Sequence, residues 1–269
     1  MNRRHRSFWL VFALGCFFLS VSAQTLPFPE RKKIVNPAEE GRAIINELLA
    51  QAPAENSAFY GVFKIRNRDG DLLPEIPVQM RITTNAAGWK EIYATQPTAS
   101  HPAEQLTVVH TLQKPNEYWF AQKGTGHESE PPKRLQPQQL FQPLAGTDFW
   151  IADLGLEFLH WPDQSLVEKT YNRTRWCYVV DSKNPAPAAG AYSRVRSWID
   201  WESGGFINAE AFQGQHKVKV FAASGFKKLQ GRWQVEKLEI RDLARHTKTT
   251  LVFDFESRSA ADAPDKNGK

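Results

Sequence analysis

The side chains able to do chemistry are spread along the chain without a catalytic pattern. His101, His110, His127, His160, His216 and His246 lack the spacing that holds zinc, so no metal centre and no cofactor is expected. H-E-x-x-H, G-x-S-x-G, C-x-x-C, a glycine-rich phosphate loop and S-x-x-K at a plausible nucleophile are all missing. Gly124-Thr125-Gly126-His127 looks like a fragment of a dinucleotide loop, but it has no third glycine and opens no helix of a βαβ unit, so it reads as a loop. His160 and Asp163 are the types for an acid–base pair, since proton transfer wants an imidazole oriented by a carboxylate. Their spacing around Trp161-Pro162 fits a turn better. Asp148 and Asp153 read as a helix cap and a first-turn carboxylate. Cys177 lies between Trp176 and Tyr178 with no activating base and reads as a small buried residue. No catalytic residue is predicted, and the chain is expected not to be an enzyme.

The elements around these residues are mostly strands. Asn36 can cap a helix, Pro37 suits its first position, and Glu39 completes a variant of the capping box. Gly41, Ile44, Ile45, Leu48, Leu49 and Ala52 recur at helical spacing until Pro53 stops the helix, which is expected to pack on a sheet. From there the period drops to 2. Phe59, Gly61, Phe63 and Ile65 share one face of a strand and Tyr60, Lys64 and Arg66 the other. Further strands are expected over Val78–Thr84, Gly88–Thr95, Gln105–Thr111 and Asn116–Gln122, then over Arg194–Trp201, Phe206–Phe212, His216–Ala222, Leu229–Arg241 and Lys248–Phe255. Glycine-bearing turns such as Gly204-Gly205 and Ser224-Gly225 separate the later ones. About ten or eleven strands without a βαβ rhythm predict a mainly β fold, an antiparallel and strongly curved sheet. Between the halves, a Pro/Gln-rich passage leads into Gly146-Thr147-Asp148-Phe149-Trp150-Ile151-Ala152-Asp153-Leu154. This is read as a short apolar helix capped by Asp148 and carrying Ile151, Leu154, Phe158 and Leu159, either a plug over the curved sheet or ordinary core.

The ends carry different information. Arg3, Arg4, His5 and Arg6 precede an apolar run, Phe8 to Leu19, and Val21-Ser22-Ala23 is a small-residue cleavage motif, the pattern of a secretory signal peptide. Leu14-Gly15-Cys16 resembles a lipidation site, but Ala13 fits that motif poorly and Phe17, Phe18 and Leu19 continue the apolar core. The run is shorter than the ~20 residues a helix needs to cross a bilayer. Removal of residues 1–23 takes away three arginines and lowers the formal charge from +5 to +2, too small for a strongly basic surface, so nucleic acid is not expected as a partner. It also removes Cys16, which leaves Cys177 without an intramolecular disulfide partner. The sequence therefore predicts a signal peptide over 1–23, one β domain over 24–256 and a polar, disordered tail over 257–269.

Gly146-Thr147-Asp148-Phe149 followed by Asp153-Leu154 resembles the G-(S/T)-D-F-x-x-x-D-L signature of LolA-like outer-membrane lipoprotein-sorting proteins. The order downstream is also similar: paired strands at Val167–Arg173 and Arg175–Asp181, an aromatic strand ending in Trp198-Ile199-Asp200, and a glycine-punctuated hairpin series from Phe206 to Phe255. The resemblance implies a half-open barrel in the periplasm whose apolar concave face, partly covered by short helices, carries lipoproteins or other acylated ligands. The implied partners are acyl chains and the sorting components of the inner and outer membranes. Phe59, Phe63, Ile65, Val195, Ile199 and Trp201 are then the expected lining, with Phe149, Leu154, Phe158 and Leu159 as lid. Alternation alone marks these as a buried face and leaves open whether side chains fill it. A structural envelope protein and a hydrolase without a recognisable motif are the alternative readings.

Overall fold

A computed structural model describes residues 34–53, 55–112, 114–122, 131–229 and 232–254. The predicted signal peptide, the loop at Gly124–His127 and the predicted tail lie outside the described residues.

Helix α1 spans Pro37–Leu49, with Asn36 Oδ1 accepting from Glu39 N–H and Pro37 at the first turn. Strands β1 (Ser57–Arg66), β2 (Ile76–Asn85), β3 (Gly88–Thr95), β4 (Glu104–Thr111), β5 (Glu117–Gln122) and β6 (Lys133–Arg134) follow. Next come a 3-10 turn at Pro137–Phe141, helix α2 at Ile151–Leu154 and a second 3-10 turn at Glu157–His160. Seven strands complete the chain: β7 (Asp163–Asn172), β8 (Arg175–Lys183), β9 (Arg194–Asp200), β10 (Phe206–Gln213), β11 (His216–Leu229), β12 (Arg232–Asp242) and β13 (Thr247–Asp254).

All thirteen strands among the described residues form one antiparallel sheet in the order β6-β5-β4-β3-β2-β1-β13-β12-β11-β10-β9-β8-β7. The fold is mainly β, an unclosed sheet with an N-terminal helix. Every neighbouring pair is a hairpin of consecutive strands except β1 with β13, where Phe63 faces Leu251. Two meanders, β1 to β6 and β7 to β13, are thus joined at one central seam.

Period-2 alternation places one row of side chains per strand inside the curve. Phe59 and Phe63 of β1, Val78 and Met80 of β2, Tyr93 of β3, Leu106 and Val108 of β4, Phe221 of β11, Ile240 of β12 and Leu251 of β13 all join one core. Gly41, Ile45 and Leu48 turn the buried stripe of α1 toward β7. A Cβ at Gly41 would lie 2.6 Å from the backbone N of Leu166, so only glycine lets the helix come this close to the strand.

The strand count exceeds the ten or eleven expected. β6 emerges from the Pro/Gln-rich passage, where no strand was expected. β7 begins four residues before the Val167 that the resemblance suggested, and a register shift between Leu166 and Glu168 breaks its alternation there. β11 runs through Ser224-Gly225 instead of stopping there: Gly225 adopts φ +79° while the pairing register with β12 is unchanged on both sides of it.

Candidate functional site

Between β6 and β7 the chain leaves the sheet and folds back into its concave face. Leu144 and Phe149 close a tight turn through Leu144 N–H to Phe149 O at 2.9 Å. Gly146 sits in it at φ +71°, where a Cβ would meet the His101 imidazole at 2.3 Å. The turn points Phe149 inward, its ring 5.8 Å from that of Phe63. Asp148 is not the helix cap the sequence suggested. Helix α2 starts at Ile151 with Trp150 as its N-cap, and the Asp148 carboxylate instead accepts from Thr247 Oγ1 at 2.5 Å and Thr249 Oγ1 at 2.8 Å on β13. Two threonine hydroxyls on the strand satisfy it better than the orphan N–H groups of a four-residue helix.

Asp153 supplies the missing cap from inside α2, accepting from Trp150 N–H at 2.8 Å. Its carboxylate also accepts from Tyr192 Oη at 3.0 Å and from Lys219 Nζ at 3.4 Å. The same ammonium donates to Asp148 O at 2.7 Å and stands 3.6 Å above the Trp150 ring. Side chains of Lys219 and Asp153 are 1% and 0% exposed. Burial draws the Lys219 ammonium below its ordinary value and pushes the Asp153 carboxyl above its own, and the attraction between them opposes both shifts. The inserted segment is thereby bolted to β11 and β13 by buried charge. Sequence reasoning missed Lys219 and Tyr192. The available signal was phase: Lys219 shares the inward face of β11 with Phe221 and Ala223.

Beside this segment lies a cavity of about 850 Å3, walled by α1 (Ile45, Leu49), by the β3–β4–β5 end of the sheet (Trp89, Glu91, His110, Asn116) and by the inserted segment (Leu154, Leu156, Leu159, His160, Trp161). Arg42, Asn46 and Glu47 of α1 and His160 of the insertion also line it, so polar and apolar side chains come from every wall. Glu91, 1% exposed, accepts from Trp89 Nε1 and Tyr93 Oη, each at 3.1 Å. His110 stacks on Trp89 with ring centroids 4.6 Å apart and brings Nε2 to 3.6 Å from Glu91. Tyr118 Oη donates to Glu157 Oε2 at 2.9 Å, and burial pushes the Glu157 carboxyl up to about 7. Burial pulls the His160 imidazole down to about 4, with nearby His110 adding to the shift. Glu91 too was legible only as phase, sharing a face with Trp89 and Tyr93.

Of the ten residues expected to form the lining and lid, Leu154 and Leu159 border the cavity. Phe59, Phe63, Ile65, Phe149, Phe158, Val195 and Ile199 are buried in the filled core next to it. Trp201 is 42% exposed, in the turn that ends β9, with its ring 4.8 Å from Tyr178. The alternation that placed it inward runs one residue past the strand. Among the described residues no group of three His, Cys, Asp or Glu side chains is arranged to hold a metal ion. His160 and Asp163 form no pair: the His160 ring borders the cavity, while Asp163 lies 3.6 Å from Lys183 on β8.

A family model with the description "Uncharacterized protein" matches residues 95–265. No curated protein matches the sequence. Among solved structures, a DUF1329 family protein from Desulfovibrio piger is similar at TM-score 0.64 and 16% identity, over 82% of this chain and 92% of that one. A protein described as an outer membrane lipoprotein-sorting protein domain, from Vibrio parahaemolyticus, is similar at TM-score 0.65 and 14% identity, over 81% and 91%. A LolA superfamily protein from Nitrosomonas europaea is similar at TM-score 0.54 and 14% identity, over the same shares. At these identities the likeness establishes the fold, an unclosed LolA-like sheet.

Proposed function

Since this chain belongs to the family whose model matches residues 95–265 and has a LolA-like fold, we propose that it is a non-catalytic carrier or binding protein for lipoproteins or other acylated ligands. It acts in the periplasm, reached by the signal peptide at 1–23, as one domain over 24–256. Its partners are acyl chains and, through them, sorting components of the two membranes. The observation that carries this reading is the cavity of about 850 Å3 held open between α1 and the inserted segment. That volume falls within the ~300–1,000 Å3 range of small-molecule pockets.

The driving force is partition. Each methylene moved from water into an apolar cavity gains about 0.8 kcal/mol, so a 16-carbon chain gains on the order of 10 kcal/mol before the cost of ordering it. Ile45, Leu49, Leu154, Leu156 and Leu159 are the surfaces against which that gain is made.

The test is to express the chain with its signal, purify the mature protein gently from the periplasm, and analyse an organic extract by mass spectrometry. The expected result is acyl species at close to one per protein. A lipid-free protein that also takes up no added palmitoyl chain overturns the reading and moves weight to a structural role in the envelope.

A further inference from the structure

Neighbouring strands of the sheet are antiparallel, so the turns between them alternate between its two ends. The β4–β5, β7–β8 and β9–β10 turns fall at one end and the β1–β2 loop at the other. The first end gathers exposed apolar side chains: Leu112 after β4, Tyr171 near the end of β7 and Trp201 after β9 are 48%, 58% and 42% exposed. Tyr171 pairs with the Trp176 ring at 5.2 Å and Trp201 with the Tyr178 ring at 4.8 Å. Trp201 N–H donates to Trp176 O at 2.8 Å, which ties the two hairpin ends together. The β7–β8 turn is pinned as well. Arg173 and Thr174 stand at φ +48° and +66°, the left-handed pair that closes a two-residue hairpin. Arg173 Nη1 donates to Ala223 O at 3.3 Å and Asn172 Nδ2 to Asn208 Oδ1 at 3.1 Å. The exposed rings therefore sit on turns of fixed shape.

The cavity reaches the surface at this same end, because Leu112 both lines it and is exposed. Ala50, just past α1, lines it too. The next residue, Gln51, lays its side chain against the β9–β10 turn, where a Cβ on Gly204 would lie 3.0 Å from Gln51 Nε2. Leu112, the end of α1 and Trp201 thus follow one another around a single rim. Tyrosine and tryptophan suit the boundary between water and acyl chains, with an apolar ring on one side and a polar tip on the other. The exposed charges at these turns, Lys114, Arg173 and Glu202, include both signs, so contact has to rest on apolar burial. An acyl chain passes between the cavity and a bilayer without crossing water only where the rim meets the bilayer.

We propose that this rim, formed by Leu112, Tyr171 and Trp201, is a docking surface for a lipid bilayer, set around the mouth of the cavity. It rests on the reading of the cavity as an acyl-chain site and names the partner from which that site is filled or into which it empties. Leu112 enters the acyl region beside the mouth, while the Tyr171 and Trp201 rings settle at the level of the headgroups. Exposed apolar surface at such a rim marks an interaction site.

Flotation of the mature protein with phosphatidylcholine vesicles tests it. Wild type is expected to float with the vesicles, and Leu112→Ser, Tyr171→Ser and Trp201→Ser each to lower the partition coefficient about tenfold. Leu72→Ser removes an apolar side chain that is 64% exposed in the β1–β2 loop at the opposite end and is expected to leave partitioning unchanged. All four residues are exposed, so unfolding midpoints should match wild type. Absence of wild-type binding, an equal loss in Leu72→Ser, or binding confined to phosphatidylglycerol vesicles and lost in high salt overturns the docking surface. A lipid-free dimer that Trp201→Ser converts to monomer assigns the rim to a second copy and overturns it too. The two readings fail separately. Acyl species extracted from a protein that binds no vesicle leave the carrier reading standing without the surface, whereas rim-dependent vesicle binding by a protein that takes up no acyl chain sustains the surface and overturns the carrier reading.

Discussion

Lys219 shows how much a single side chain carries in this fold. A fully buried lysine is costly unless it is paired and hydrogen-bonded, and here one ammonium serves Asp148 O, Asp153 and the Trp150 ring at once. Removing one member of a buried pair leaves the other charge uncompensated, at a cost of about 3–5 kcal/mol. Lys219→Met is expected to lower the unfolding free energy in urea by that order, and Lys219→Met with Asp153→Asn to restore part of it. Additive losses would sink the idea of a shared network. Glu157 and His160 make a second prediction. Glu157 titrates at 4.5 when unfolded and about 7 when folded, so the folded state holds the extra proton and its contribution to stability is lost as pH rises through that interval. His160 goes from 6.5 to about 4, so the unfolded state holds the extra proton and its contribution is lost as pH falls. The two slopes oppose one another between pH 4.5 and 6.5. Glu157→Gln should unmask stability that rises with pH there, and His160→Gln stability that falls, both measured by chemical denaturation. None of these roles was legible in the sequence beyond the phase of Lys219 on its strand, because each depends on which residues the chain brings together from far apart.

Elements were read more easily than residues, and for a physical reason. Alternation is written within a strand, so β3 and the start of α1 follow directly from Gly88–Thr95 and from the Asn36-Pro37 cap. What failed depended on neighbours: the bulge in β7, the passage of β11 through Gly225, and the cap of α2, where β13 offered Asp148 better partners. The inserted segment was recognisable as something other than a strand: Phe149, Leu154, Phe158 and Leu159 all join the core, and Leu154 and Leu159 also border the cavity. The seat of α1 on β7 yields a prediction at this scale. Gly41→Ala suits helix propensity, yet its methyl would fall 2.6 Å from the Leu166 backbone N. Overpacking against backbone costs about 1–3 kcal/mol, so a loss of stability in thermal unfolding is expected. A gain, as propensity alone would give, would show that the helix has room to move.

At the scale of the whole molecule, the curved sheet was foreseeable from composition and turn spacing, whereas the place of the cavity was not. A buried face looks the same in sequence whether side chains fill it or leave it hollow. The central seam has a consequence for the order of folding. Hairpins of consecutive strands close short loops and form early, while β1 must wait for β13, with Tyr60 finding Asp254 across nearly the whole chain, a slow and entropically expensive step. Until then β1 and β12 both expose unpaired edges, each a template for a strand of some other molecule. Assembly of the sheet is therefore gated by completeness: a chain still emerging, or cut short before Thr247, has two half-sheets and no way to join them.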